Sequence, residues 1–228
     1  VGRPPSTPAF TPRERRLIAT LRTPAAVQSF LNALPYNTEP PPDCPTLRTF
    51  RGVVARGTAH CLEAALTAAV VLEQHGYPPM VMSLESIDEL DHVVFVYREG
   101  GRWGSVARSR DPGLHGRLPV FRTLGALARS YFDGYIDRTG CIKAYGAVDL
   151  TVLGGYDWRL STGNVWKVER LLYAIPHRPI PYSQNRVDRM RRRYVAYVTA
   201  HDGLKPLYYN RRAWSALPAE YARRLNAE

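Results

Sequence analysis

An α+β fold is predicted by three features of the 228-residue sequence. Two capped amphipathic helices open the chain, an alanine-rich helix follows within residues 58–76, and two apolar runs flanking Gly100-Gly101 then read as a hairpin. The predicted order is helices, a small antiparallel sheet packed on the cysteine-bearing central helix, and a mainly helical remainder. Residues 1–140 are expected to form the core with its N-terminal helices. Residues 141–228 are expected as a helical C-terminal extension packed on it, within a single domain overall.

The first helix carries Thr11 as N-cap, Pro12 at the first helical position and Glu14 closing a capping box, with Leu17, Ile18 and Leu21 on one face. The second starts at Thr23 and Pro24, shows Val27, Phe30, Leu31 and Leu34 as its stripe, and stops at Pro35. Residues 35–57, with Pro40, Pro41, Pro42 and Pro45, read as a long irregular loop, which compact domains rarely keep without a use. In "TAHCLEAALTAAVVLEQHGYPPM" the small residues Ala59, Ala64, Ala65, Ala68 and Ala69 alternate with Leu62, Leu66, Val70 and Leu72. Other elements can approach such a helix closely from several sides, so a buried, central position is expected, with Thr58 as cap and Gly76 as stop.

"PMVMSL" at 79–84 has the composition of a buried strand, and "HVVFVY" at 92–97 is the clearest strand in the chain. Gly100-Gly101 turns it into a partner from about Trp103. Further helical patterns begin at Thr123, pass through Val165, Val168, Leu171 and Leu172, and place Val187, Met190, Tyr194, Tyr197 and Val198 on one face.

Composition narrows the function classes. With 45% hydrophobic and 22% charged residues, wholesale disorder is excluded. No apolar run approaches the ~18 residues that span a bilayer, and "VGRPPSTPAF" shows no hydrophobic signal region, so a cytoplasmic location is expected. Cys44, Cys61 and Cys141 form no C-x-x-C pair, and their odd number points to reduced thiols without a structural zinc site. The 31 Lys and Arg against 20 Asp and Glu give a net charge of +11, which attracts nucleic acid, anionic membrane or acidic protein. The arginines are spread, however, and only "RMRRR" at 189–193 forms a tight run, so nucleic-acid binding is not favoured.

Cys61 lies in the first turn of the central helix, where unpaired backbone N–H groups and the helix dipole stabilise a thiolate. The alternative is a buried thiol that only fills space. A nucleophile needs a base. His60 is adjacent in sequence, and adjacent helical residues do not face each other. His75 sits near the helix end, while His115, His177 and His201 carry no local signal. His92 opens the best strand after an acidic loop, where a sheet end meets the start of the central helix. Continuing the hairpin register sets Glu99 opposite Arg102, Phe95 opposite Val106 and His92 opposite Ser109, whose Cβ atoms would be roughly 5 Å apart. Ser109 would orient the imidazole, and Asp111, on the same face, would supply negative charge through a bend.

Taken together, "CLEAALTAAVVLEQHGYPPMVMSL", "DHVVFVYREGGRWGSVARS" and "LPVFRTLGALARSYFDGY" resemble a bacterial branch of the transglutaminase-like superfamily. The resemblance covers about residues 20–135. It implies a papain-like core with a Cys-His-Asp triad, Cys61 matching the nucleophile and His92 the base, and chemistry that needs no metal or organic cofactor. The superfamily's aspartate normally stands shortly after the hairpin Trp, where this chain has Gly104, Ser105, Val106 and Ala107 after Trp103. Either Ser109 or Asp111 substitutes, or the site is a dyad, or it does no chemistry. The expected function is a cysteine-dependent amide-bond enzyme, peptidase, amidase or transamidase, acting through a thioester on a peptide or protein substrate. The alternatives are an inactive scaffold of the same fold that binds a peptide or protein, and an electrostatic binder of an anionic partner.

Overall fold

The computed structural model describes residues 2–39 and 45–227, so three of the loop prolines and Cys44 lie outside the described residues. Helix α1 (Pro12–Thr20) starts as its sequence dictates. The Thr11 hydroxyl accepts from the Glu14 amide, and the Glu14 carboxylate accepts from the Thr11 amide at 2.7 Å. Helix α2 (Pro24–Ala33) begins on the Thr23 hydroxyl and buries Val27 and Leu31.

The stretch expected as irregular loop contains a helix, α3 (Phe50–Arg56). Thr49 caps it, Phe50, Val53 and Val54 are buried, and Gly57 ends it at a φ of +71°. The apolar stripe spans under two turns, too short to stand out beside the proline cluster. Helix α4 (Cys61–Glu73) is the central one, and Ala64, Ala65, Ala68 and Ala69 are fully buried. Its N-cap is His60 rather than Thr58, whose hydroxyl instead accepts from Arg48 at 3.1 Å.

Helix α4 packs on a six-stranded antiparallel sheet built from β1 (Met80–Ser86), β2 (His92–Glu99), β3 (Arg102–Val106), β4 (Arg117–Phe121), β5 (Ile142–Asp149) and β6 (Arg178–Pro179), in the order β4-β3-β2-β1-β5-β6. The hairpin register is the expected one, Glu99 on Arg102 and Phe95 on Val106, and both turn glycines take positive φ. The β2–β3 ladder stops at Phe95 and Val106, so His92 and Ser109 are not paired.

Strands β4 and β5 lie where helix or loop was expected. Strand β4 contains Pro119, which an edge strand tolerates because one side of its backbone needs no ladder. Strand β5 lies along the whole of β1, so the division at residue 140 falls inside one sheet. Gly146 in β5 leaves room for Ile175 and His177, which stand about 3 Å from where a Cβ would be.

Apolar side chains fill both faces of the sheet. Val93, Phe95 and Tyr97 of β2 pack with α4 and with Val168 and Leu172 of helix α7 (Trp166–Ala174). On the opposite face Val94 and Val96 join α5 (Leu124–Arg129), α6 (Phe132–Tyr135) and Val187 of α8 (Gln184–Ala200). The basic run in α8 contributes to this docking: Arg191 donates to the carbonyls of Asp137, Thr139 and Gly140, and Arg193 stacks on Tyr208 at 3.8 Å. Helix α9 (Ala219–Ala227) closes the chain. Among the described residues no helix is long and apolar enough to cross a membrane.

Candidate active site

A cavity of about 440 Å³ opens where the start of α4, the ends of β1 and β2, helix α7 and the segment 205–209 converge. Cys61, the first residue of α4, and the imidazoles of His60 and His92 line it. The position of His60 overturns the expectation that a sequence neighbour faces away. As N-cap it has extended backbone, φ −88° and ψ −178°, so helical geometry does not direct its ring away from the thiol.

Both imidazoles stand close enough to the Cys61 sulfur to act on its ionisation. Enclosure of the sulfur opposes ionisation, but the nearby His60 and His92 imidazoles, with their positive charge, outweigh it and hold the thiol well below the ordinary cysteine range. Burial of His60 likewise opposes its charge. The thiolate, the Glu63 carboxylate and the Thr46 carbonyl outweigh that burial and push the imidazole up to about 9.

The hydrogen bonds at the second ring nitrogens assign the tautomers. His92 Nε2 lies 2.8 Å from the Leu114 carbonyl, and His60 Nε2 lies 2.8 Å from the Thr46 carbonyl. A carbonyl only accepts, so both Nε2 atoms donate, and in the neutral ring Nδ1 is left to take a proton.

The Leu114 carbonyl therefore occupies the orienting role for which Ser109 and Asp111 were candidates. Ser109 is buried, and its hydroxyl accepts from the Asp111 amide at 3.1 Å. The Asp111 carboxylate is ion-paired with Lys205. Both line the cavity, yet neither bonds His92 among the described residues. The reason is the early end of the β2–β3 ladder: beyond Val106 the chain leaves the sheet, and residues 112–114 form a 3-10 turn that brings a backbone oxygen to the ring instead.

That turn is held from behind by Arg117, which is buried and donates to the carbonyls of Gly113, His115 and Gly116 at 2.6, 2.7 and 3.3 Å. Its guanidinium lies 4.0 Å from the Tyr131 ring and 5.2 Å from that of Trp214. It carries no carboxylate partner among the described residues, and burial draws it down to about 10.

A corresponding network holds the other wall. The buried Glu63 carboxylate accepts from Arg48 Nε at 2.6 Å, from the Arg48 amide at 3.0 Å, from the Thr46 hydroxyl at 3.0 Å and from the His60 amide at 3.1 Å. Burial would raise this carboxyl, but the Arg48 hydrogen bonds and the charge of His60 bring it down to about 2. Residues 35–37 run beside Ala59, with the Asn37 amide donating to its carbonyl, and this lays the Tyr36 hydroxyl next to the Cys61 amide. Burial and then the neighbouring thiolate raise the Tyr36 phenol, so it stays a donor.

Of the remaining histidines, none joins the site. His75 bonds the Ile18 carbonyl rather than its own helix end, His115 packs on Tyr221, His177 stands against Gly146, and His201 stacks on Tyr197. Cys141 is buried, and burial pushes its thiol up to about 11, the behaviour of a structural cysteine.

Fold and site together define an α+β protein whose cysteine-headed helix packs on an antiparallel sheet. Among solved structures it is similar to Legionella pneumophila LapG in three forms. The calcium-bound form overlaps with a TM-score of 0.33 at 17% identity, covering 44% of this chain and 66% of that one. LapG itself gives 0.37 at 14%, and the EGTA-treated form 0.38 at 16%, each covering 66% of this chain and 89% of the other. No family model and no curated protein matches the sequence.

Proposed function

We propose that the chain is a cysteine-dependent amide-bond hydrolase of the transglutaminase-like kind, working through a thioester. The observation that supports this reading is Cys61 at the head of a buried helix, open to a cavity and beside two imidazoles that lower its pKa. The Cys61 sulfur attacks the amide carbonyl carbon, and the developing oxyanion takes hydrogen bonds from the Cys61 amide and the Tyr36 hydroxyl. Collapse breaks the C–N bond, and His92, having taken the thiol proton at Nδ1, passes it to the departing amine. Water then attacks the thioester while His92 Nδ1 takes its proton, releasing a carboxylic acid and the thiolate. An amine in place of water gives the transamidated product by the same steps. His60, beside the same sulfur, is a second cation that favours the thiolate before attack and again as it leaves the thioester.

The pH–rate profile of iodoacetamide labelling tests this, with the label located by peptide mass and Cys61→Ala as control. Fast labelling at Cys61 below neutrality, accompanied by hydrolysis of peptide amides that Cys61→Ala lacks, is the expected result. A Cys61 pKa near or above the ~8.5 of a free thiol removes the nucleophile. Among the described residues His92 is held by the Leu114 carbonyl and by no carboxylate, which favours a second reading, a peptide-binding scaffold, for which an ordinary thiol and retained peptide binding are the outcome.

A further inference from the structure

The chain carries 31 Lys and Arg against 20 Asp and Glu, yet the cavity at Cys61 reverses that balance. Seven of the 20 carboxylates line it, with two of the 31 cations, Arg110 and Lys205. Lys205 is spent on Asp111. Of the other six, Glu39 accepts from the Thr46 amide at 2.6 Å, and five come from separate elements: Asp88, Glu89 and Asp91 from the β1–β2 loop, Asp137 from the segment before β5, and Glu169 from α7. Among the described residues none of these five is ion-paired with Lys or Arg, and the Glu89 and Glu169 carboxylates accept no hydrogen bond.

Aromatic rings accompany them. Trp166, Glu169 and Tyr173 stand at i, i+3 and i+7 of α7, so one face of that helix presents a carboxylate between two rings to the cavity. Tyr173 is 68% exposed, an unusual cost for a large ring unless something covers it. Asp91 and Glu89 lie near enough to Tyr173 for their charge to act on its phenol, which gathers both carboxyl-bearing elements around that ring. On the inner side Tyr135 links this rim to the nucleophile: its hydroxyl donates to the Leu90 carbonyl, and the charges of Cys61, Asp91 and Asp88 all act on it. Carboxylates interleaved with aromatic faces are the surface that suits an alkylammonium or guanidinium group.

We infer that this cleft selects a cationic polypeptide, with a Lys or Arg side chain seated between Glu169, Tyr173 and the β1–β2 loop while the adjoining amide lies over Cys61. The inference rests on the proposed enzyme for its scissile amide, but the charge selection concerns binding alone. It also gives the basic exterior a bearing on specificity. At a Debye length of about 8–10 Å the exterior repels basic partners only weakly, whereas a carboxylate-lined cavity acts at contact distance.

The test is fluorescence anisotropy with the Cys61→Ala variant of the 228-residue chain, which binds without turnover, and three labelled Ala-rich peptides carrying two Lys, two norleucine or two Glu at the same positions. The Lys peptide is expected to bind at least about tenfold tighter than its norleucine isostere, about 1.4 kcal/mol, with the Glu peptide weakest and the spread shrinking at high salt. Glu169→Gln with Asp137→Asn should narrow the Lys-to-norleucine ratio, and Glu99→Gln on the β2–β3 hairpin should not. Equal affinities, a reversed order or no binding of the Lys peptide overturns the inference. Iodoacetamide labelling of the native chain keeps the two readings apart. An activated Cys61 without Lys preference removes only the selectivity, and an ordinary Cys61 with Lys preference removes only the enzyme.

Discussion

Two imidazoles stand beside the Cys61 sulfur and draw its pKa down, and each contribution is separable by substitution. His92→Asn and His60→Asn are each expected to raise the thiol pKa, and the double variant to return it to about 8.5 or above. The sign follows from the depressed pKa: native labelling stays nearly flat as pH falls through neutrality and drops only in acid, while that of the double variant already falls below pH ~8. A single variant with a native profile would show that its imidazole is a bystander. Tyr36→Phe separates oxyanion stabilisation from ionisation. It should lower amide turnover by about 10²-fold while leaving iodoacetamide labelling unchanged, and equal losses in both would assign Tyr36 to the thiolate instead. At this scale Cys61 and His92 were legible because one heads a helix and the other heads a strand. His60 was not, because the helical rule that neighbours diverge fails at an N-cap with extended backbone. The Leu114 carbonyl, being backbone, leaves no side-chain signature at all.

Two elements hold those residues in place, and each makes its own prediction. The Glu63 carboxylate ties the start of α4 to Arg48, Thr46 and Asn37, so Glu63→Ala leaves a guanidinium without its partner and should cost about 3–5 kcal/mol. For a chain of this length each kcal/mol lowers Tm by about 2–4 °C. The pH dependence identifies the group. Glu63 is held at about 2 in the fold, so its stabilisation is complete above the ~4.3 of an unfolded glutamate and is lost as pH falls toward about 2. Calorimetry should find that part of the acid decline missing in Glu63→Gln, and an unaltered acid limb would show that the pair adds no net stability. On the other wall, Arg117→Met removes three carbonyl contacts from the turn that presents Leu114 to His92. Turnover should fall with a shifted acid limb of its pH profile while Arg117→Lys recovers part of it. A loss of Tm alone would assign Arg117 to packing. Elements were legible where a cap or alternation marked them, as at Thr11 or along β2. Strand β5 was not, since Ala144, Gly146 and Ala147 have weak strand propensity and only the long ladder on β1 selects that conformation.

At the scale of the whole molecule, the last stretch of chain returns over the wall that holds His92. Lys205 pairs with Asp111, the Leu118 amide donates to the Ala213 carbonyl, Trp214 faces Arg117, the Ser215 amide donates to the Gly116 carbonyl, and the Tyr221 hydroxyl donates to the Arg110 carbonyl. These contacts are long-range in sequence, which is why a reading of local pattern placed only helices there. The segment contributes Lys205, Pro206 and Tyr209 to the cavity lining, yet it supplies neither imidazole on Cys61. Ionisation of the thiol and access to it are therefore carried by different parts of the chain. A chain ending at Leu204 is expected to keep the depressed Cys61 pKa, because α4, His60 and His92 stay in place. It should lose stability, and it should react faster with bulky thiol reagents, so that the ratio of large-reagent to iodoacetamide rates rises. If the shortened chain instead shows an ordinary thiol while remaining folded by circular dichroism, the segment maintains the reactive geometry, through Arg117 and the Leu114 turn, rather than covering a site already complete beneath it.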